Sequence, residues 1–228
     1  MTKFDIITIF PEAFSYLNES ILKRAQKKGL FKIKIHNLRD FTADKHHKVD
    51  DKSYGGGPGM VLKANPIAKA VKFIASKTKK TPPEVILFSP AGKQFNAQKA
   101  QELAKKDRHL ILICGHYEGI DERIKKVIRD LGFKIQELSV GPYVLSGGEL
   151  PAMILIDAVS RHLPRVLGKQ ESLEEKRLGV GVPVYTRPEI FAFLSKTGRK
   201  KSLYCVPKIL LSGNHSKINQ WRAGQRKG

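Results

Sequence analysis

Glycine supplies most of the candidate chemistry in this chain. Residues 139–153 read SVGPYVLSGGELPAM and hold Gly141, Gly147 and Gly148 around an apolar insert, Tyr143-Val144-Leu145. Positions without a Cβ let backbone amides and carbonyls come close to a ligand. The insert adds a flat apolar wall, the usual make-up of a small-molecule pocket. Taken alone, the segment reads equally well as a tight turn that packs a helix on a sheet. Two earlier segments share its character: Ser89-Pro90-Ala91-Gly92-Lys93 and Gly115-His116-Tyr117-Glu118-Gly119.

A fourth glycine run, YGGGPGM over residues 54–60, lacks the Gly-Lys-Ser/Thr of a phosphate loop and follows no strand, so that reading fails. It could admit an RNA backbone or a flipped base, or serve as a flexible connector. Just before it, His46, His47, Asp50 and Asp51 crowd together. Their spacing matches no zinc pattern and no cysteine joins them, so a solvated, substrate-facing loop is expected and no metal ligand is assigned. Cys114 and Cys205 lie far apart in the chain; with no disulfide framework, a reducing cytoplasm is expected, with Cys114 a buried free thiol. No apolar run reaches the roughly 18 to 20 residues of a membrane span, and no signal-peptide pattern opens the chain, so no membrane partner is expected.

Charge names the partner class. Against 21 Asp+Glu stand 42 Lys+Arg, a net charge of +21 over 228 residues. Such an excess argues for a polyanion, nucleic acid first. From residue 190 onward there are nine Lys or Arg and no acid. That absence is a stronger nucleic-acid signal than a charged face alone.

The elements that must position these residues alternate. Residues 4–10 (FDIITIF) read as a buried strand closed by Pro11, followed by a helical segment to about Lys28 and a strand over 31–36. Helices are predicted over 66–76, capped by Asn65, and over 96–106, 120–131 and 152–163. Strands are predicted over 85–88, 110–114 and 133–140. Alternating strands and helices imply a parallel sheet with helices on both faces. In such sheets ligands sit outside the carboxyl ends of the strands, where the three glycine segments fall, so one composite pocket is expected. None carries G-x-G-x-x-G, which disfavours a dinucleotide site. Residues 164–182 read as an interdomain linker, and 183–228 as a small basic appendage in which Asn214 caps a short helix through Arg222.

With these segments in view, the chain resembles the bacterial tRNA (guanine-37-N1)-methyltransferases, the TrmD family of SPOUT methyltransferases. The resemblance rests on FDIITIFPEAF, LRDFTADKHHKVDDKSYGGGPGM, GHYEGIDER, SVGPYVLSGGELPAM, YTRPE and KILLSGNH, in the family's order and spacing. It implies an α/β fold whose parallel sheet ends in a deep trefoil knot (residues 1–163), then the linker, then a small, basic, mostly helical tRNA-binding domain (183–228). It implies a cytoplasmic homodimer with the active site at the subunit interface. The implied activity is S-adenosylmethionine (SAM)-dependent methylation of guanine N1 at tRNA position 37. Cofactor residues carry over onto Ser89, Pro90, Gly115, Tyr117, Glu118, Gly119, Val140, Gly141, Pro142, Tyr143, Val144, Leu145, Gly147, Gly148 and Pro151. For tRNA the candidates are Asp50, Tyr54, Gly55, Gly56, Gly57, Lys217 and Arg222. The family's helix-end Arg matches Arg161, and its magnesium dependence would fall to Glu118.

The sequence departs from the family pattern at three places. Lys176 stands at the family's basic Asp, with Arg177 beside it, so Glu175 or Glu174 is expected to supply the carboxylate, with Asp50 the alternative. Pro142 replaces an Asp beside the cofactor, removing a carboxylate and a backbone donor. The family continues through further helices beyond the position of Trp221, where the basic tail is expected to compensate. These departures motivate an alternative function, a non-catalytic or retargeted RNA-binding protein on the same scaffold.

Overall fold

The computed structural model describes residues 1–78, 82–105, 107–167, 181–194 and 201–225. The chain divides into two compact units, Met1–Gly168 and Lys169–Gly228. The first is a five-stranded sheet, all parallel, in the order β2-β1-β6-β5-β7. Its strands are β1 (Thr2–Thr8), β2 (Phe31–Asn37), β5 (Glu84–Gln94), β6 (His109–Ile113) and β7 (Lys134–Ser139). A two-residue antiparallel pair, β3 (Asp50–Asp51) with β4 (Val61–Leu62), stands apart from it.

Side-chain alternation along β1 divides the core in two. Phe4 and Ile6 join Leu110, Leu112 and Ile86 on one face, beneath α1 (Ser20–Lys27), α3 (Ala97–Ala104) and α5 (Glu149–His162). Ile7 and Ile9 join Val85, Ile111 and Ile113 on the other, beneath α2 (Ala64–Ser76) and α4 (Arg123–Asp130). Buried on both faces, the central strands carry near-continuous β-branched and leucine runs, as parallel sheets require.

Four expectations are corrected. The first strand starts at Thr2 and ends at Thr8, because Pro11 opens a 3-10 helix over Pro11–Asn18 that occupies half of the predicted first helix. Helix α2 begins at Ala64, so Asn65 lies inside it; its cap is Lys63, which makes no side-chain capping bond. Asn96, by contrast, does cap α3, its side chain accepting from Lys99 N at 2.9 Å. Residues 89–93 do not end a strand. β5 leaves its register with β7 after Phe88, makes an excursion, and re-pairs at Lys93, so that Phe88 and Lys93 both oppose Leu138. Gly92 makes this possible, since a methyl there would sit 2.7 Å from the Leu138 carbonyl carbon.

In the second unit, β8 (Ile190–Leu194) and β9 (Lys201–Cys205) form an antiparallel hairpin that the helical expectation did not include. Two short helices follow, α6 (Lys208–Leu211) and α7 (His215–Gly224). Asn214 caps α7 by accepting from Lys217 N at 3.1 Å.

Candidate active site

The β5 excursion after Phe88 and the segments that follow β6 and β7, after Ile113 and Ser139, meet at one edge of the sheet and enclose a cavity of about 280 Å³. That volume lies near the lower end of small-molecule sites, roughly 300–1,000 Å³. Ser89 and Pro90 come from the β5 excursion, and Gly115, Tyr117, Glu118 and Gly119 from the segment after β6. The segment after β7 contributes Val140, Gly141, Tyr143, Val144, Leu145, Gly147 and Gly148, and α5 contributes Pro151. Every residue expected to hold the cofactor therefore lines one cavity except Pro142, which is exposed and not part of the wall.

Close backbone contact shapes the walls. Gly148 N donates to Gly115 O at 2.8 Å, and His116 pairs with Gly147 in an isolated bridge. A methyl on Gly148 would lie 2.7 Å from Cys114 Cα, and one on Gly147 would lie 2.3 Å from Oε2 of Glu149 and 2.7 Å from Nδ1 of His116. Gly141 leaves room for the Tyr143 ring, which folds back so that its hydroxyl donates to Val140 O at 3.3 Å. Ser139 closes the turn: its hydroxyl donates to Gly141 O at 2.8 Å and accepts from Gly141 N at 3.2 Å. Tyr117 takes φ +59°, a left-handed conformation that costs a non-glycine residue about 1 kcal/mol or more.

Below this wall lies a buried acid. Glu149, the first residue of α5, is buried, and its Oε1 accepts from Thr8 Oγ1 at 2.8 Å. The same hydroxyl accepts from Phe10 N at 2.9 Å, which ties the end of β1 to the start of α5. Beside it the His116 ring packs edge-on to Phe10 and Tyr117, with centroids 5.0 and 4.8 Å away. Its Nδ1 is buried without a hydrogen-bond partner among the described residues. Burial pushes the nearby Cys114 thiol up, which keeps it an inert neutral packing group.

The tRNA candidates fall into two groups. Asp50 pairs with Leu62, and Leu62 N donates to Gly119 O at 3.0 Å, which docks the β3–β4 hairpin on the rim of the cavity. Gly55, Gly56 and Gly57 all have positive φ, and Tyr54 is 98% exposed. Gly59 matters more than its neighbours. A methyl there would lie 2.6 Å from Cγ of Glu118, whose amide donates to Met60 O at 3.1 Å. The second group, Lys217 and Arg222, sits on α7 in the other unit, where Arg222 lines a groove with Tyr185, Arg187 and His215.

Arg161 lies in the last turn of α5 and is not part of the cavity wall. Twelve residues of helix separate it from Glu149, about 18 Å along the axis. Glu174, Glu175, Lys176 and Arg177 lie outside the described residues. The sequence reading missed His116, Ser139, Ser146 and Gly59. All four stand inside the glycine segments, but only the folded contacts distinguish them from their neighbours.

A parallel α/β sheet with a glycine-walled cavity outside the carboxyl ends of β6 and β7 defines a small-ligand-binding α/β domain. Over residues 2–228 the chain matches the family tRNA (Guanine-1)-methyltransferase TrmD, and it belongs to that family. A tRNA (guanine-N(1)-)-methyltransferase of Dictyoglomus turgidum is 53% identical over 226 residues, 97% of this chain and 84% of that protein. Relatives of the same name from Carboxydothermus hydrogenoformans and Clostridioides difficile are 49% and 46% identical, covering 98% and 96% of this chain and 82% and 90% of their own lengths.

Proposed function

We propose that the protein is a cytoplasmic enzyme that methylates guanine N1 at position 37 of tRNA, with SAM as donor. The observation that carries this reading is the convergence of three glycine segments on one cavity in a chain of this family. The residues present suit SAM: Pro90, Val144 and Leu145 offer apolar surface to a ring, while the main chain around Gly115 and Gly147, left uncovered by any Cβ, offers polar contacts. The unpartnered Nδ1 of His116 leaves one more polar partner at the wall. SAM supplies an electrophilic methyl group on a sulfonium.

The chain must supply the rest. Guanine N1 is a poor nucleophile until it loses its proton, so a positioned carboxylate is needed. We assign it to Glu175 or Glu174, with Asp50, on the rim hairpin, as the alternative. A cation near O6 stabilises the charge that develops as the proton leaves, the role assigned to Arg161. Glu118, packed on Gly59, holds the glycine loop of residues 54–60 against the cavity, where the tRNA base would enter. Lys217 and Arg222 bind tRNA phosphates from the basic second domain, residues 183–228, reached through a linker over 164–182. A magnesium ion, bound as it commonly is through one or two carboxylates with water and substrate, would fall to Glu118 in the cavity wall; no cluster of three or more His, Cys, Asp or Glu stands among the described residues, and no step is assigned to the ion.

Arg161 lies too far along α5 to reach the cavity of its own chain, which supports a homodimer in which each copy completes the other's site. Leu150 and Ile154, 55% and 44% exposed one turn apart on α5, offer an apolar stripe for that contact. The return of the chain after β7, past the segments that follow β5 and β6 to α5 beside β1, supports the trefoil knot that the family resemblance implies. Among the described residues no helix is long and apolar enough to cross a membrane.

Labelled SAM and two tRNA transcripts, one with guanine and one with adenine at position 37, test the assignment. Label should enter only the first, on N1. Equal labelling of both, or of neither, sinks it and favours a retargeted or non-catalytic RNA-binding protein. Glu175→Gln should lower turnover far more than SAM affinity; an unchanged rate moves the base to Glu174 or Asp50.

A further inference from the structure

A second cavity, of about 310 Å³, opens under α2 against the amino-terminal halves of β1 and β2, and shares no residue with the first. Lys3 and Asp5 of β1, Lys32, Lys34 and His36 of β2, and Lys77 just past α2 line it. In a strand every second residue faces the same side, so all five strand residues project toward α2. Lys3 stands directly opposite Lys32 in the parallel register, and Asp5 opposite Lys34. Like charges placed opposite one another cost stability unless something neutralises them.

Asp5 stands opposite Lys34, but no acid among the described residues pairs with Lys3 or Lys32. Asp5 is the single carboxylate in the lining, and both its oxygens are already taken, by Nε2 of His36 at 2.5 Å and Nε2 of His109 at 2.6 Å. Lys77 lies over the face of Phe73, 4.6 Å from the ring centroid, which holds its ammonium at the rim. Such a concave ring of like charge focuses its field on the opening and concentrates anions there.

The buried histidines supply the second observation. His109 is satisfied at both nitrogens, since its Nδ1 meets Thr78 Oγ1 at 2.9 Å. His36, 8% exposed and in the cavity wall, uses Nε2 on Asp5 and makes no bond at Nδ1 among the described residues. That nitrogen is not itself a buried atom, so it is open to solvent from the cavity wall and free to meet a ligand there. It can accept from a singly protonated phosphate or, when the ring is protonated, donate to a full anion.

We propose that this cavity is a phosphate-binding site, with Lys3, Lys32, Lys34 and Lys77 supplying charge and His36 Nδ1 the directed hydrogen bond. The phosphate can arrive on a small molecule such as a nucleotide or pyrophosphate, or on the backbone of an RNA. Calorimetry with pyrophosphate tests this on the full chain and on Lys32→Gln/Lys34→Gln, with SAM titrated into both as a check on folding. Saturable binding of one pyrophosphate per chain is expected, weakened at least tenfold in the variant, with SAM binding the same in both. Absence of saturable binding to the unaltered chain overturns the proposal. So does equal binding by both proteins, which would place the anion on another basic surface and leave the lysines as charges that protect an edge strand. If pyrophosphate also displaces labelled tRNA and the variant binds tRNA more weakly, the phosphate belongs to RNA; if neither occurs, it belongs to a small molecule. Because no arm reads methyl transfer, failure here leaves the proposed activity untouched.

Discussion

The cavity beside the β5 excursion and the carboxyl ends of β6 and β7 is walled largely by main chain, whereas the one under α2 is walled by the ends of charged side chains. In the first, glycines stand where a single methyl would meet a neighbouring backbone or a buried carboxylate. In the second, lysines on alternate strand positions surround an Asp–His pair, and each could change without moving the chain. A backbone wall gives a fixed shape and fails abruptly. A side-chain wall gives a field, and should fail by degrees.

The sharpest way to break that contrast is Gly148→Ala. The added methyl would meet Cys114 Cα at 2.7 Å and Gly115 N at 2.9 Å, both main-chain atoms that cannot rotate away. Overpacking of this kind costs about 1–3 kcal/mol, roughly 2–10 °C in melting temperature for a chain of this size. SAM affinity, read by calorimetry, should fall tenfold or more. A variant with native melting and affinity would show that the wall yields as easily as a surface. Next in size is Thr8→Val, which removes the only hydroxyl that donates to buried Glu149 Oε1 among the described residues. Leaving that oxygen unsatisfied should cost about 1–3 kcal/mol in urea unfolding.

In the second cavity the corresponding test is a pH profile. Burial pushes the Asp5 carboxyl up, but hydrogen bonds from His109 and His36 outweigh it and bring the group down from 3.8 to about 2. A carboxyl lowered in the folded state stabilises the protein above its unfolded pKa, and that stability is lost as pH falls through the folded value. The contribution is about 2 kcal/mol at neutral pH. Asp5→Asn should therefore be less stable than the unaltered chain at pH 6, with the gap closing between pH 4 and pH 2. A gap that stays constant over that range would show that Asp5 holds its place by shape and not by charge.

The same division governs what could be read from sequence. Glycine spacing and strand runs identified the first cavity because main-chain geometry leaves local marks: Gly141, Gly147 and Gly148 announce close approach before any partner is known. The β5 excursion escaped because its anchor, Leu138, lies some fifty residues away and Gly92 looks like any turn glycine. The Asp5–His109 contact joins residues 104 apart, and no spacing rule connects a lone Asp to a lone His across a sheet. His116 read as one member of a glycine motif, while its buried, unpartnered nitrogen exists only once Gly147 lies beside it. The hairpin of β8 and β9 was hidden because Ile190–Leu194 and Lys201–Cys205 carry no clean alternation, their apolar residues being exposed on both faces.

The smallest expected effect separates the helices that flank the two cavities. The sequence places Asn65 as the cap of a helix over 66–76 and Asn96 as the first residue of a helix over 96–106. Folding reverses the roles: Asn96 sits outside α3 in extended conformation and its Oδ1 accepts from Lys99 N, whereas Asn65 is already within α2. A side-chain cap is worth about 1 kcal/mol over alanine, because it satisfies an amide that the first turn leaves without a partner. Inside a helix the same exchange gains a little propensity instead. Asn96→Ala should thus lose about 1 kcal/mol in urea unfolding, and Asn65→Ala should change little or gain a few tenths. Equal losses would mean that α2 draws on Asn65 as α3 draws on Asn96, and the helix over the lysine-lined cavity would then begin nearer Pro66, as its sequence suggested.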